Sequence, residues 1–288
     1  MGHLNRMKRR YGKSKKQQRK RAKTRRRQRG GQAEPKLWFI SYGDANYEAA
    51  KQRIRKEAED MGCFQGGIKI YGPEDLGEDF NTGEVAKVLK EPRGGGYWLW
   101  KPYIIMKTLE MMNPDDILLY ADAGCTLQTA GVPRLKEYAK MISPDTSKSV
   151  LVMRLRDQVA KKWITTEIFD HFNIKMDDPI AISNQVLATC GMYRNCADGI
   201  QVVKRWLDTA MKRPDLFTDK YNEASKKTNP DFIENRHDQS ILTPIVQTPP
   251  SVSACVIIDE EIEKTSQPVR ADEYFADKPI VASRKPSG

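Results

Sequence analysis

Three short segments carry side chains able to do chemistry. Asp122 follows the apolar run Ile117-Leu118-Leu119-Tyr120-Ala121. A carboxylate at the end of a buried strand can hold a hard divalent cation, which takes oxygen ligands and bridges phosphate oxygens. The same residue in the same place also starts turns well. The second segment, Arg236-His237-Asp238-Gln239-Ser240, gathers groups that exchange protons and groups that hydrogen-bond. A helix opening there turns its unpaired amides and positive end toward an anion, and Asp238 or Ser240 can equally serve as its cap. The third is Tyr97-Trp98-Leu99-Trp100-Lys101-Pro102. Its aromatic faces suit stacking on sugars and bases as well as packing in a core. Lys101 is a candidate phosphate contact, with a solvated lysine as the ordinary alternative.

These segments need elements to hold them, and the chain alternates strand and helix signals. Lys36 to Tyr42 is a compact aromatic and β-branched run that reads as a buried first strand. From Asn46 to Met61, helix formers carry Tyr47, Ala50, Ile54 and Ala58 on one face, with Gly62 as a stop. Further strands are expected at 67–71, 117–121, 149–153, 186–193 and 254–258. Helices are expected at 103–112, 133–141, 165–172, 199–212 and 238–246. Pro92 to Gly96 reads as a flexible loop. The alternation predicts an α/β fold, and in open sheets of that class ligands bind at the carboxyl ends of the strands, where Asp122 falls.

The stretch from Gly94 to Cys125, GGGYWLWKPYIIMKTLEMMNPDDILLYADAGC, resembles the corresponding part of GT-A glycosyltransferases from bacterial and large-virus polysaccharide systems. In those enzymes a helix opening with Trp-Lys-Pro precedes a strand ending in an Asp-containing motif. Phe39-Ile40-Ser41-Tyr42-Gly43, Gln185-Val186-Leu187-Ala188 and Arg236-His237-Asp238-Gln239-Ser240-Ile241-Leu242 follow the same order. The likeness covers about residues 36–260. It implies a Rossmann-like, mixed but mostly parallel sheet flanked by helices, and transfer of a sugar from a nucleoside-diphosphate sugar to a hydroxyl acceptor on a glycan or related molecule. It places the donor at Ser41, Tyr42, Asp44, Trp100, Lys101, Asp122, Ala123 and Gly124. His237, Asp238 and Gln239 become the catalytic group, and Trp163 and Thr165 the acceptor side. It also implies Mn²⁺ or Mg²⁺, held by Asp122 with His237 or Asp238. One departure stands out: the family pattern Asp-x-Asp is broken by Gly124, so the second carboxylate of the motif is missing. Cations such as Lys101 and Arg93 are then the other means of meeting a pyrophosphate.

Net charge is +11 over 288 residues, but residues 1–31 hold 15 Lys and Arg and no acid, which leaves 34 basic against 38 acidic side chains in the rest. That leader is too poor in apolar residues to offset its ordering entropy and is expected to be a disordered tail over 1–35. It suits a polyanion, a nucleic acid, an anionic membrane or a nuclear address. The catalytic domain is expected over 36–264 and a polar tail over 265–288. No signal-peptide or membrane-spanning stretch is present, so a cytoplasmic protein is expected. Five cysteines with no two-residue gap read as reduced thiols, Cys125 among them. The rival reading is a protein that binds nucleic acid through its basic arm and keeps an inactive transferase scaffold. Fold alone does not choose between the two.

Overall fold

A computed structural model describes residues 34–264 and 271–284. The basic leader and the disorder expected of it lie outside the described residues. The strands are β1 (Leu37–Tyr42), β2 (Gly67–Tyr71), β3 (Ile117–Ala121), β4 (Thr126–Leu127), β5 (Val150–Val159), β6 (Asn184–Val186), β7 (Cys190–Arg194), β8 (Cys255–Ile258) and β9 (Ile280–Val281). The longer helices are α1 (Glu48–Met61), α2 (Lys101–Leu109), α3 (Val132–Met141), α4 (Ala197–Lys212) and α5 (Asp238–Gln247). The main sheet runs β2-β1-β3-β7-β5, with β8 on the far side of β5 and β6 against its second half. β7 and β6 are antiparallel to their neighbours and the other five strands share one direction. The expected mixed, mostly parallel sheet flanked by helices is what forms.

Period-two alternation along each strand divides the apolar residues between two cores. Ile40, Tyr42, Leu118, Tyr120, Val150 and Val152 face one way, into a core shared with α2, α4 and α5. Phe39, Leu119, Ala121, Leu151 and Met153 face the other, against α1 and α3. Covering both faces allows the near-continuous apolar runs read in the sequence.

Two expectations are corrected. The Gly-rich segment is ordered, forming a turn at Gly94–Tyr97 in which five consecutive residues, Gly94 to Trp98, have φ between 54° and 96°. For Tyr97 and Trp98 this left-handed conformation costs roughly 1–2 kcal/mol each. A side chain at Gly96 would put its Cβ 2.6 Å from the Leu89 Cα, so the turn needs glycine there. The single strand expected over 186–193 is broken into β6 and β7, and Ala188 and Thr189 between them face the strand ends carrying Asp122.

The segment expected to be a polar tail also differs. Within it Phe275, Ile280, Val281 and Ala282 are buried, and β9 pairs antiparallel with β4. Gln128 Nε2 donates to the carbonyls of Phe275 and Lys278 (2.7 and 2.8 Å), and Lys278 pairs with buried Glu260. Polar composition hid four apolar residues that suffice to dock the arm 271–284 onto the α3 side. Gly131 marks the docking point, since a Cβ there would lie 2.2 Å from the Pro279 nitrogen. Gly131→Ala is therefore expected to destabilise the chain by about 1–3 kcal/mol and to speed proteolytic cleavage within 271–284. Unchanged protection would show that the arm does not dock.

Candidate functional site

β3 ends at Ala121, and Asp122 both begins a turn and projects into a cleft. Its N–H donates to Thr189 O (2.9 Å) and its carbonyl accepts from Cys125 N (2.9 Å), so starting the turn does not take Asp122 out of the cleft wall. Tyr120, two residues earlier and on the same face, donates its hydroxyl to Asp122 Oδ1 at 2.5 Å. Arg53 on α1 reaches over the sheet edge to the carbonyls of Ala123 and Cys125 (2.7 and 2.8 Å), fixing the backbone of the turn.

The cleft has two lobes that share Trp98, Asp122, Thr189 and Arg284 as common wall. The larger is a cavity of about 210 Å³ and is lined by Tyr42, Asp44, Gly95, Trp98, Trp100, Ala123 and Gly124 among others. Tyr42 and Trp100 stack at 3.7 Å between ring centroids, and Trp100 Nε1 donates to Gly94 O (3.2 Å). Asp44 caps the short 3-10 turn at Ala45–Tyr47 through Asn46 N (2.9 Å). The expected donor residues Tyr42, Asp44, Trp100, Asp122, Ala123 and Gly124 thus meet in one place. Ser41 does not join them: it is fully buried, outside the lining, and its Oγ has no partner among the described residues.

The second lobe is lined by Arg93, Lys101, Gln158, Arg236, His237, Asp238, Gln239, Glu263 and Arg284 together with the shared wall. Lys101, the first residue of α2, is 1 % exposed. Its ammonium is 3.0 Å from Ala188 O, 2.5 Å from Asp238 Oδ2 and 3.2 Å from Asp122 Oδ1. An ammonium has three N–H groups, so all three are taken. Lys101 accordingly holds the two carboxylates together and has no donor left for a phosphate, which corrects the contact expected of it. Burial pulls its pKa down, but Asp122 and Asp238 outweigh that and hold it above the usual lysine range. One ammonium cannot fully compensate two carboxylates. Burial, with Asp122 close by, pushes the Asp238 carboxyl up to about 6 despite Lys101.

His237 precedes α5 at φ 57°, ψ −118°, a strained backbone for a residue with a side chain. Its ring packs against Tyr97 and Trp98, at 4.9 and 5.4 Å between centroids. Burial, reinforced by Arg93, lowers its pKa to about 4, so the ring is neutral at pH 7. Nδ1 lies 2.8 Å from Phe217 O, an atom that can only accept, which places the proton on Nδ1 and leaves Nε2 a bare acceptor. Nε2 has no hydrogen-bond partner among the described residues and lies 4.0 Å from Asp219 Oδ1. Gln239 is locked in a buried amide network, donating to Gln185 Oε1 (2.8 Å) and Gln158 Oε1 (3.3 Å).

The expected acceptor residues take other roles. Thr165 is buried and caps the helix Thr166–His171 through Ile168 N. Trp163 lies beneath the Arg236 guanidinium, 4.2 Å from its ring centroid. Neither lines the cleft. The metal set fares similarly. Lys101 occupies the space between Asp122 and Asp238 where a shared cation would be held, and no cluster of three or more His, Cys, Asp or Glu side chains suited to a metal ion exists among the described residues. The residues present do not fit the divalent ion that the resemblance implies. All five cysteines are free, and burial raises the Cys125 thiol well above its usual pKa.

Four lining residues, Gln158, Thr189, Glu263 and Arg284, belong to none of the segments that stand out in the sequence. Arg236 was within reach, adjacent to His237 in the same cluster. Arg284 had no local signal, because pairing of β9 with β4 brings it in from the far end of the chain.

No family model and no curated protein matches the chain. Three of the solved structures similar to it are glycosyltransferases. One, involved in glycosylation of the major capsid of PBCV-1, is 10 % identical with a TM-score of 0.46, over 86 % of this chain and 93 % of that one. Mouse xyloside xylosyltransferase 1 is 11 % identical at a TM-score of 0.45, over 87 % and 97 %. The galactosyltransferase LgtC, solved with donor and acceptor sugar analogues, is 13 % identical at 0.38, over 85 % and 86 %. No helix among the described residues is long and apolar enough to cross a membrane.

Proposed function

We propose that the cleft binds a nucleoside-diphosphate sugar and transfers its sugar to a hydroxyl acceptor. The observation that carries this reading is the division of labour between the lobes. The aromatic lobe, lined by Tyr42, Trp98 and Trp100 with Asp44 at its edge, offers an apolar wall and a carboxylate suited to a base and ribose. The second lobe holds acid-base groups and arginines, suited to a sugar and its phosphates. A single anion-binding groove for nucleic acid would have no use for a buried carboxylate held beside a neutral imidazole.

In this reading the leaving diphosphate lies at the shared wall near Arg284, and the sugar points toward α5. His237 Nε2, able only to accept, suits a sugar or acceptor hydroxyl. Asp238, charged above pH 6, faces the positive charge that develops at the sugar carbon or takes the acceptor proton. Lys101 fixes the orientation of both Asp238 and Asp122.

Titration with UDP and GDP is expected to raise the melting temperature and quench tryptophan fluorescence, with Trp100→Ala weakening nucleotide affinity by at least tenfold. A tryptophan face stacked on a base contributes ~1–3 kcal/mol. If no nucleoside diphosphate shifts the melting temperature of the wild-type chain, the reading fails. Release of the nucleoside diphosphate from a panel of donor sugars then identifies the sugar.

A further inference from the structure

The cleft contains a diphosphate partner of its own, built from arginines. Lys101 is saturated by protein acceptors and cannot supply one. Three guanidinium groups border the second lobe instead, each with donor capacity beyond its present partners. Arg93 pairs with Asp219 at 2.9 Å and Glu234 at 3.6 Å. Arg236 pairs with Glu234 at 3.1 Å through one terminal nitrogen, while its Nε is buried without a hydrogen-bond partner among the described residues. Arg284 uses one terminal nitrogen on Glu263 at 2.5 Å, and its side chain is otherwise 62 % exposed at the rim where both lobes meet. A guanidinium offers five N–H groups in a planar fork that matches a phosphate edge.

The position of Arg284 is enforced by its neighbours. Ser283 Oγ donates to Gly124 O (3.2 Å) and pairs with Thr126 Oγ1 (2.8 Å), and Ala282 N donates to Ile262 O (2.8 Å). The arm is thereby tied to the residue that stands where the family motif has its second carboxylate. A cation enters the site where an anionic metal ligand is absent.

We propose that Arg284, carried by the arm 271–284, forms with Arg236 and Arg93 a metal-independent diphosphate-binding site at the junction of the two lobes. This rests on the nucleotide-sugar reading only for the identity of the ligand, because the site itself recognises the diphosphate group. It replaces the divalent ion in neutralising the leaving group, while the Lys101 ammonium serves the carboxylates.

Inorganic pyrophosphate is the probe, titrated calorimetrically into the full chain at about 0.15 M salt in excess EDTA, where long-range attraction by the basic leader is largely screened. Saturable binding is expected without metal, weakened at least tenfold by Arg284→Gln and by Arg236→Gln. Arg55→Gln, the same charge change on the exposed outer face of α1, should leave it unaltered. The proposal is overturned if binding needs Mn²⁺ or Mg²⁺, or if Arg284→Gln and Arg55→Gln behave alike. UDP and GDP titrated in parallel separate the two readings. Pyrophosphate binding that depends on Arg284, with no nucleotide preference over pyrophosphate, keeps the diphosphate site and removes the nucleotide reading. Nucleotide binding that appears only with metal keeps the nucleotide reading and removes the diphosphate site.

Discussion

Replacing Lys101 by methionine is expected to destabilise the fold by about 3–5 kcal/mol, the range for removing one partner of a buried ion pair, and to abolish nucleotide-dependent turnover. The methionine fills nearly the same volume, so packing changes little. What disappears is the one cation, among the described residues, paired with both Asp122 and Asp238. Asp238 is 5 % exposed, so little solvent reaches it to stand in for the ammonium. It would answer by holding its proton to higher pH, and at pH 7 the variant would carry a neutral acid where the wild type carries a carboxylate. Urea denaturation of the wild type, Lys101→Met, Asp238→Asn and the double variant measures this. The double variant should recover much of the loss, because the amide no longer needs the ammonium, and the difference is the coupling energy of the pair. A loss below about 1 kcal/mol for Lys101→Met would place the ammonium in solvent, as at an ordinary exposed ion pair.

How much of this was readable beforehand depends on how local each signal is. β1 and β3 follow from compact apolar runs, and α1 from helix periodicity and the Gly62 stop, all signals carried within the segment itself. Asp122, Tyr42, Asp44 and Asp238 come to line one cleft because strand ends and helix starts are local features and sheet topology brings them to one edge. Lys101 was legible as a cation beside the site but not as an internal one. Its direction depends on α2 crossing the sheet so that Nζ reaches Ala188 O, 87 residues away. Trp163 and Thr165 read as acceptor-side residues, whereas packing uses one under Arg236 and the other as a helix cap. The Gly94–Gly96 run reads as flexible from composition, yet the same freedom at positive φ builds a specific left-handed turn that presents Trp98 to His237. Arg284 shows the limit: no residue near it announces a site, and the β4–β9 pairing with the contacts of Ala282 and Ser283 carries it there.

Asp238→Asn should lower turnover by about 10²–10⁴-fold, the usual contribution of a general acid or base, while leaving the fold intact. The amide keeps the shape of the side chain and still offers an oxygen to Lys101. Its stability profile has a definite sign. The folded carboxyl titrates at about 6, above the unfolded value of about 3.9, so between those pH values the native state binds more protons than the unfolded state. Stability therefore falls with rising pH across that window and stays lower above it, by about 3 kcal/mol at about 1.36 kcal/mol per pH unit. Relative to Asp238→Asn, the wild type should lose unfolding free energy between about pH 4 and pH 7, while its turnover rises through an acid limb centred near pH 6. The two trends oppose each other because one ionisation produces both: the charge that the interior disfavours is the charge the reaction uses. Retention of the acid limb in Asp238→Asn would move that ionisation to another group. Asp122→Asn, measured in the same pH series, is the control for the neighbouring carboxylate.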